Sequence, residues 1–115
     1  MKEAKPKGKG RFPVAPKEQR TMDGIVFDSK REMERYAHLK MLQACGVISH
    51  LELQPSFTVN INGKKLCTYS ADFAYFENGN RIVEDVKSSG TRKDGAYRLR
   101  KKAAELQFFI NVRET

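Results

Sequence analysis

Asp72, Asp85 and Lys87 are the residues whose types and spacing can do chemistry together. Side chains two apart on a strand share a face, so Asp85 and Lys87 of the triplet Asp85-Val86-Lys87 are expected to point the same way. Asp72 precedes the turn signal at 77–80 by about as many residues as Asp85 follows it, which puts the two acids nearly opposite each other on paired strands. Two carboxylates at close range repel. A hard divalent cation, Mg²⁺ or Mn²⁺, removes the conflict by taking carboxylate oxygens while keeping several waters. One of those waters can become the nucleophile of phosphodiester hydrolysis. Lys87 can orient or deprotonate it, or neutralise charge on the phosphorane. The same spacing also admits a plainer arrangement, a surface ion pair between Asp85 and Lys87 on a solvated sheet face.

These residues need a sheet and a covering helix. The run Asp23-Gly24-Ile25-Val26-Phe27 reads as a turn followed by a short strand. Asp28 or Ser29 then caps a helix over 29–45, in which Met33, Tyr36, Ala37, Met41 and Ala44 recur at helical spacing, with Leu39 and Leu42 widening the stripe. Gly46 stops it. A fourth acid comes from this helix: Glu32 in its first turn, preferred over Glu34 because it is flush with Tyr36. An acid placed there simply to complement the helix dipole is the competing explanation.

After a short extended piece at 51–53 and the break at Gln54-Pro55, strands are expected at 56–61, 64–76 and 81–87, joined by Asn62-Gly63 and Asn78-Gly79-Asn80. Glu84 lies on the opposite face of the last strand from Asp85. A loop at 88–95 leads to a helix over 96–106 with an apolar stripe of Ala96, Leu99, Ala103 and Leu106, and Phe108 to Val112 form a buried closing strand. The order α-β-β-β-α-β describes an α/β (α+β) domain with a mixed central sheet flanked by helices.

The chain has 115 residues, enough for one core, and a net charge of +8. The charge is concentrated. Residues 1–20, including Lys9 and Arg11, and residues 92–102, including Arg92, Lys93, Arg98, Arg100, Lys101 and Lys102, are strongly basic, and the remainder is slightly acidic. Two basic segments imply a polyanionic partner, nucleic acid first. Tyr97, Arg98 and Arg100 open the second helix, where they can grip phosphates. Residues 1–20 are too poor in apolar side chains to fold alone and read as a basic arm ahead of a domain at 21–115. No apolar run is long enough for a membrane span. The N-terminus lacks a signal sequence, and Cys45 and Cys67 read as reduced thiols of a cytoplasmic protein.

The stretch Asp23 to Glu32 with Tyr36, Leu51 to Phe57, Tyr69-Ser70-Ala71-Asp72-Phe73, Val83 to Lys87 and Tyr97 to Lys101 resembles a family of small phage and prophage proteins carried as a domain of unknown function. That family is similar to the PD-(D/E)xK nuclease superfamily, near the archaeal Holliday-junction resolvases. The resemblance spans residues 21 to about 112. It implies a restriction-endonuclease-like core, with the superfamily's helix acid at Glu32, its strand acid at Asp72 and its (D/E)-x-K at Asp85 and Lys87. Gln54 resembles an auxiliary polar residue of such sites. Two departures stand out: Ala71 occupies the nominal proline position, and Ser88-Ser89 precede Gly90 where relatives more often have glycine directly.

Together these readings give a Mg²⁺- or Mn²⁺-dependent DNA endonuclease acting on branched DNA in phage recombination or replication, with a homodimer needed to cut a junction twice. The alternative is a module on the same fold that binds nucleic acid or a host protein without catalysis.

Overall fold

The computed structural model describes residues 14–86 and 94–115. Among them the elements run β1 (Thr21–Met22), β2 (Ile25–Val26), α1 (Lys30–Ala44), β3 (Ser49–Leu53), β4 (Ser56–Ile61), β5 (Lys64–Ser70), β6 (Phe73–Glu77), β7 (Asn80–Asp85), α2 (Gly95–Phe108) and β8 (Val112–Glu114). This is an α+β fold. The chain divides into two compact units, Met1–Ala37 and His38–Thr115.

In the first unit, Asp23-Gly24 turn the chain between β1 and β2, which pair antiparallel. The expected strand at 23–27 therefore gains a partner immediately upstream. Lys17–Arg20, which the sequence reading put in the basic arm, form a 3₁₀ turn. Arg20 ties the ends of this segment together: its Nε donates to the Ala15 carbonyl at 2.9 Å and its guanidinium to that of Phe27 at 2.6 Å. The Phe27 ring lies 4.9 Å from that of Tyr36, whose hydroxyl donates to Asp23 Oδ2 at 2.7 Å. α1 starts at Ser29, whose Oγ accepts from the Glu32 amide at 3.0 Å. Ser29 with Glu32 three residues on is the capping-box pattern.

In the second unit α1 ends at Gly46 (φ +82°), a left-handed conformation that glycine adopts without steric cost. The Val47 amide reaches back to the Leu42 carbonyl at 2.9 Å and closes the helix. The central sheet has the order β3-β6-β7-β8, with β3, β6 and β7 antiparallel and β8 parallel to β7. β4 and β5 form a separate two-stranded ribbon through the Asn62-Gly63 turn.

Three expectations change. The long strand at 64–76 is two strands. The chain leaves the β4–β5 ribbon after Ser70 and enters the central sheet at Phe73. Ala71 still bonds to the Pro55 carbonyl at 3.0 Å, while the Asp72 amide already bonds to that of Glu84 at 3.0 Å. Pro55 lacks an amide hydrogen and Gln54 has φ +51°, so β3 and β4 break at the matching point.

The buried face of α2 is also different. Tyr97 and Ala104 face the core, with Ala103 packed beside them, whereas Leu99 and Leu106 are 70% and 67% exposed. Tyr97 and Ala104 are seven residues apart and so lie on one stripe. The helix turns to bury its tyrosine among Phe57, Val59, Tyr69, Ala74 and Val83.

Finally, the closing strand begins later than expected. α2 runs through Phe108 and ends at the left-handed, exposed Phe109. Glu105 fixes that end: its carbonyl accepts from the Phe109 and Ile110 amides, and its carboxylate from Val112 at 2.9 Å.

Candidate functional site

The break between β5 and β6 delivers Asp72 to the end of β7. The register places Phe73 opposite Glu84 without a shift, so the next pair outward is Asp72 with Asp85. The Asp72 amide donates to Asp85 Oδ1 at 3.0 Å, and the Val86 amide donates to Asp72 Oδ2 at 2.8 Å. The two acids counted outward from the turn thus sit side by side. The Gln54 amide donates to the Asp72 carbonyl at 2.9 Å, so Gln54 borders the pair through its backbone. Its side chain is exposed.

Asp85 is fully buried, whereas Asp72 is partly exposed. The Tyr69 hydroxyl donates to Asp85 Oδ2, and the Tyr97 hydroxyl lies 3.2 Å from the same oxygen. The Tyr97 hydroxyl also donates to Glu114 Oε2 at 2.8 Å. Glu114 is the register partner of Asp85 on parallel β8, and Lys101 Nζ stands 3.5 Å from its Oε2. Burial first, then the adjoining Asp85 carboxylate, pushes the Tyr69 phenol well above its ordinary range. Tyr97 moves the same way through burial, then its hydrogen bond to Glu114, then the charge of Asp85.

Tyr97 therefore stands elsewhere than expected. It is not a surface ring beside Arg98 and Arg100 but a buried one, 5% exposed, held between two acids. Glu114 was not legible as part of this cluster, because the closing strand was expected to end before it. Glu84 occupies the opposite face, fully buried, where the Tyr75 hydroxyl donates to its carboxylate.

Arg98 and Arg100 are exposed on α2, and Lys101 is partly buried in its ion pair with Glu114. Glu32, in the first unit, is 5% exposed, on a stripe with Tyr36 and Leu39. Glu34 is exposed and 4.0 Å from Lys30. Burial thus separates the two helix acids as their periodicity suggests. Lys9, Arg11, Lys87, Arg92 and Lys93 lie outside the described residues.

Among the described residues, no three His, Cys, Asp or Glu side chains converge as a metal-ligand cluster. Mg²⁺ is ordinarily held by one or two carboxylates with waters completing its shell. Adjacent Asp72 and Asp85 supply the two carboxylates of such a donor set; Asp72 is partly exposed, and Asp85 is fully buried with both oxygens hydrogen-bonded.

The described residues thus form an α+β fold with a mixed four-stranded sheet, and Asp72 and Asp85 stand side by side where the chain passes from ribbon to sheet. The chain belongs to the family described as Protein of unknown function (DUF1064), whose profile matches residues 16–115. No curated protein and no solved structure matches it. No helix among the described residues is long and apolar enough to cross a membrane.

Proposed function

We propose that this chain is a divalent-metal-dependent DNA endonuclease of the PD-(D/E)xK kind, acting on branched DNA in the cytoplasm of a phage-bearing host, in recombination or replication. The observation that carries the reading is the pairing of Asp72 and Asp85 through the Asp72 amide at 3.0 Å. That geometry gathers two hard oxygen donors at strand ends, beside a helix bearing exposed Arg98 and Arg100.

In this reading Asp72 and Asp85 hold Mg²⁺ or Mn²⁺, and Glu32 is the residue to which the resemblance assigns the superfamily's helix acid. The bound ion supplies an activated water and offsets phosphate charge. Lys87, two residues beyond Asp85, handles the proton or the developing charge. Gln54 supports Asp72 from its backbone. Arg98, Arg100 and Lys101, with Lys9, Arg11, Arg92 and Lys93, grip phosphates. A junction has two strands to cut, so a homodimer is the working unit.

The test is cleavage of a labelled four-way junction beside matched linear duplex and single strand, with Mg²⁺, Mn²⁺ or EDTA. Paired symmetric nicks on the junction, abolished by EDTA and by Lys87→Ala, are expected. The full burial of Asp85 favours one other reading, a nuclease-like fold that binds nucleic acid or a host protein without cutting it. Tight junction binding with no metal-dependent product would select that second reading.

A further inference from the structure

We propose that Tyr69 and Tyr97 are positioning residues for a metal-binding Asp85, and that Tyr97 couples Asp85 to Glu114. The inference rests on the metal-site reading above.

Both rings are fixed by packing. Tyr69 is 2% and Tyr97 5% exposed, their ring centroids are 6.2 Å apart, and they share a core with Phe57, Ala74, Val83 and Ala104. A phenol held this way has little freedom to move its hydroxyl. Two such hydroxyls meet at Asp85 Oδ2, while the Asp72 amide fixes Oδ1. The Tyr69 hydroxyl and the Asp72 amide, with the Tyr97 hydroxyl as a longer third contact, occupy most of the lone-pair directions of that carboxylate and fix its rotamer and the plane it presents. One of these donors is the backbone of the other acid, so the constraint that orients Asp85 also sets its spacing from Asp72.

Tyr97 has a single proton to give. Its oxygen is 2.8 Å from Glu114 Oε2 and 3.2 Å from Asp85 Oδ2, so the shorter bond goes to Glu114. The proton is shared unequally between the two acids, so Tyr97 orients Asp85 Oδ2 while withdrawing little electron density from it. Lys101, 3.5 Å from the same Glu114 oxygen, opposes the pull of Glu114 on that proton. Partners that orient a ligating carboxylate typically change metal affinity by about 10–100-fold when removed.

The experiment is calorimetric titration of the full chain with Mn²⁺ alone, for the parent, Tyr69→Phe, Tyr97→Phe and Asp85→Asn, with exposed Leu106→Ala as control. Phenylalanine keeps each ring and removes only the hydroxyl. Each Tyr→Phe variant is expected to weaken Mn²⁺ binding by about 10–100-fold while its metal-free melt stays cooperative. Parent-like affinity in both, with binding lost in Asp85→Asn, overturns the positioning role and leaves the metal site standing. Parent-like affinity in Asp85→Asn, or no binding by the parent, overturns both. If the phenylalanine variants fail to fold, the parent still decides: substoichiometric Mn²⁺ is expected to broaden the Tyr69 and Tyr97 ring resonances before that of Tyr75, on the opposite sheet face. Equal broadening of all three overturns the proposal.

Discussion

The backbone amide of Asp72 donates to the carboxylate of Asp85 at 3.0 Å, so the position of one acid is set by the main chain of the other. Asp85 is fully buried, with two tyrosine hydroxyls at its other oxygen, whereas Asp72 is partly exposed. The two are unequal in what they hold together. Replacing Asp85 by Ala leaves the buried Tyr69 hydroxyl without its acceptor, while Tyr97 keeps Glu114 and the Asp72 amide keeps the Glu84 carbonyl, and is expected to cost about 1–3 kcal/mol of folding stability. Asp72→Asn keeps an acceptor for the Val86 amide and is expected to cost about 1 kcal/mol. Urea unfolding of both variants measures this. A greater loss for Asp72→Asn would put the structural burden on the wrong acid.

The tyrosines give the site a signature in alkali. Burial and neighbouring carboxylates raise Tyr69 and Tyr97 well above the ordinary phenol value near 10.0. Below that value both phenols are protonated whether the chain is folded or not, and their contribution is fully present. As pH rises past it, the unfolded chain ionises them and the folded chain does not, so stability falls. Alkaline unfolding is therefore expected to begin above pH 10 and to release tyrosinate absorbance in the same cooperative step. Of the four tyrosines, at least these two should titrate only in that step. Their smooth ionisation with the fold intact would contradict the buried hydrogen bonds.

Much of this architecture was legible in the sequence where local chemistry decides it. Asn62-Gly63 and Asn78-Gly79 mark the turns they occupy, Gly46 ends α1, and counting from the second turn brings Asp72 to Asp85. What escaped was decided by distant packing. An unbroken run from 64 to 76 does not reveal that the chain changes sheets at Ala71-Asp72, because the partners that force it are Pro55 and Glu84. The apolar spacing of Leu99 and Leu106 misled for the same reason: the Tyr97 hydroxyl had partners on β7 and β8, and the helix turned toward them. With α2 ending at Phe108 the last strand shifts, and Glu114 arrives beside Asp85.

That rotation of α2 is itself testable. Leu99 is 70% exposed, so Leu99→Ala is expected to change stability by less than about 0.5 kcal/mol. Ala104 is fully buried, and Ala104→Leu is expected to cost about 1–3 kcal/mol through overpacking. The reverse order in thermal or denaturant melts would restore the stripe expected from periodicity.

At the other helix, the Ser29 Oγ accepts from the Glu32 amide at 3.0 Å. Ser29→Ala removes that acceptor from the first turn and is expected to cost about 1 kcal/mol, with Ser29→Asp close to the parent because a carboxylate caps as well. Equal losses in both would mean that the hydroxyl matters for something other than capping.

The basic side of α2 tests the nucleic-acid half of the proposal separately from catalysis. Arg98 and Arg100 are exposed, so replacing both by Ala should leave the fold intact. If each neutralises one phosphate, the double variant should bind DNA more weakly on every sequence. Its slope of log affinity against log salt should also shrink by about 1.8, since each contact on duplex DNA contributes about 0.9. Junction binding followed by fluorescence anisotropy across a salt series supplies both numbers. An unchanged slope would move the phosphate contacts off α2 and onto the remaining basic residues, among them Lys9, Arg11, Arg92 and Lys93. A reduced slope with unaltered discrimination between junction and duplex would mean that α2 supplies grip, and that the choice of branched DNA is made elsewhere on the protein.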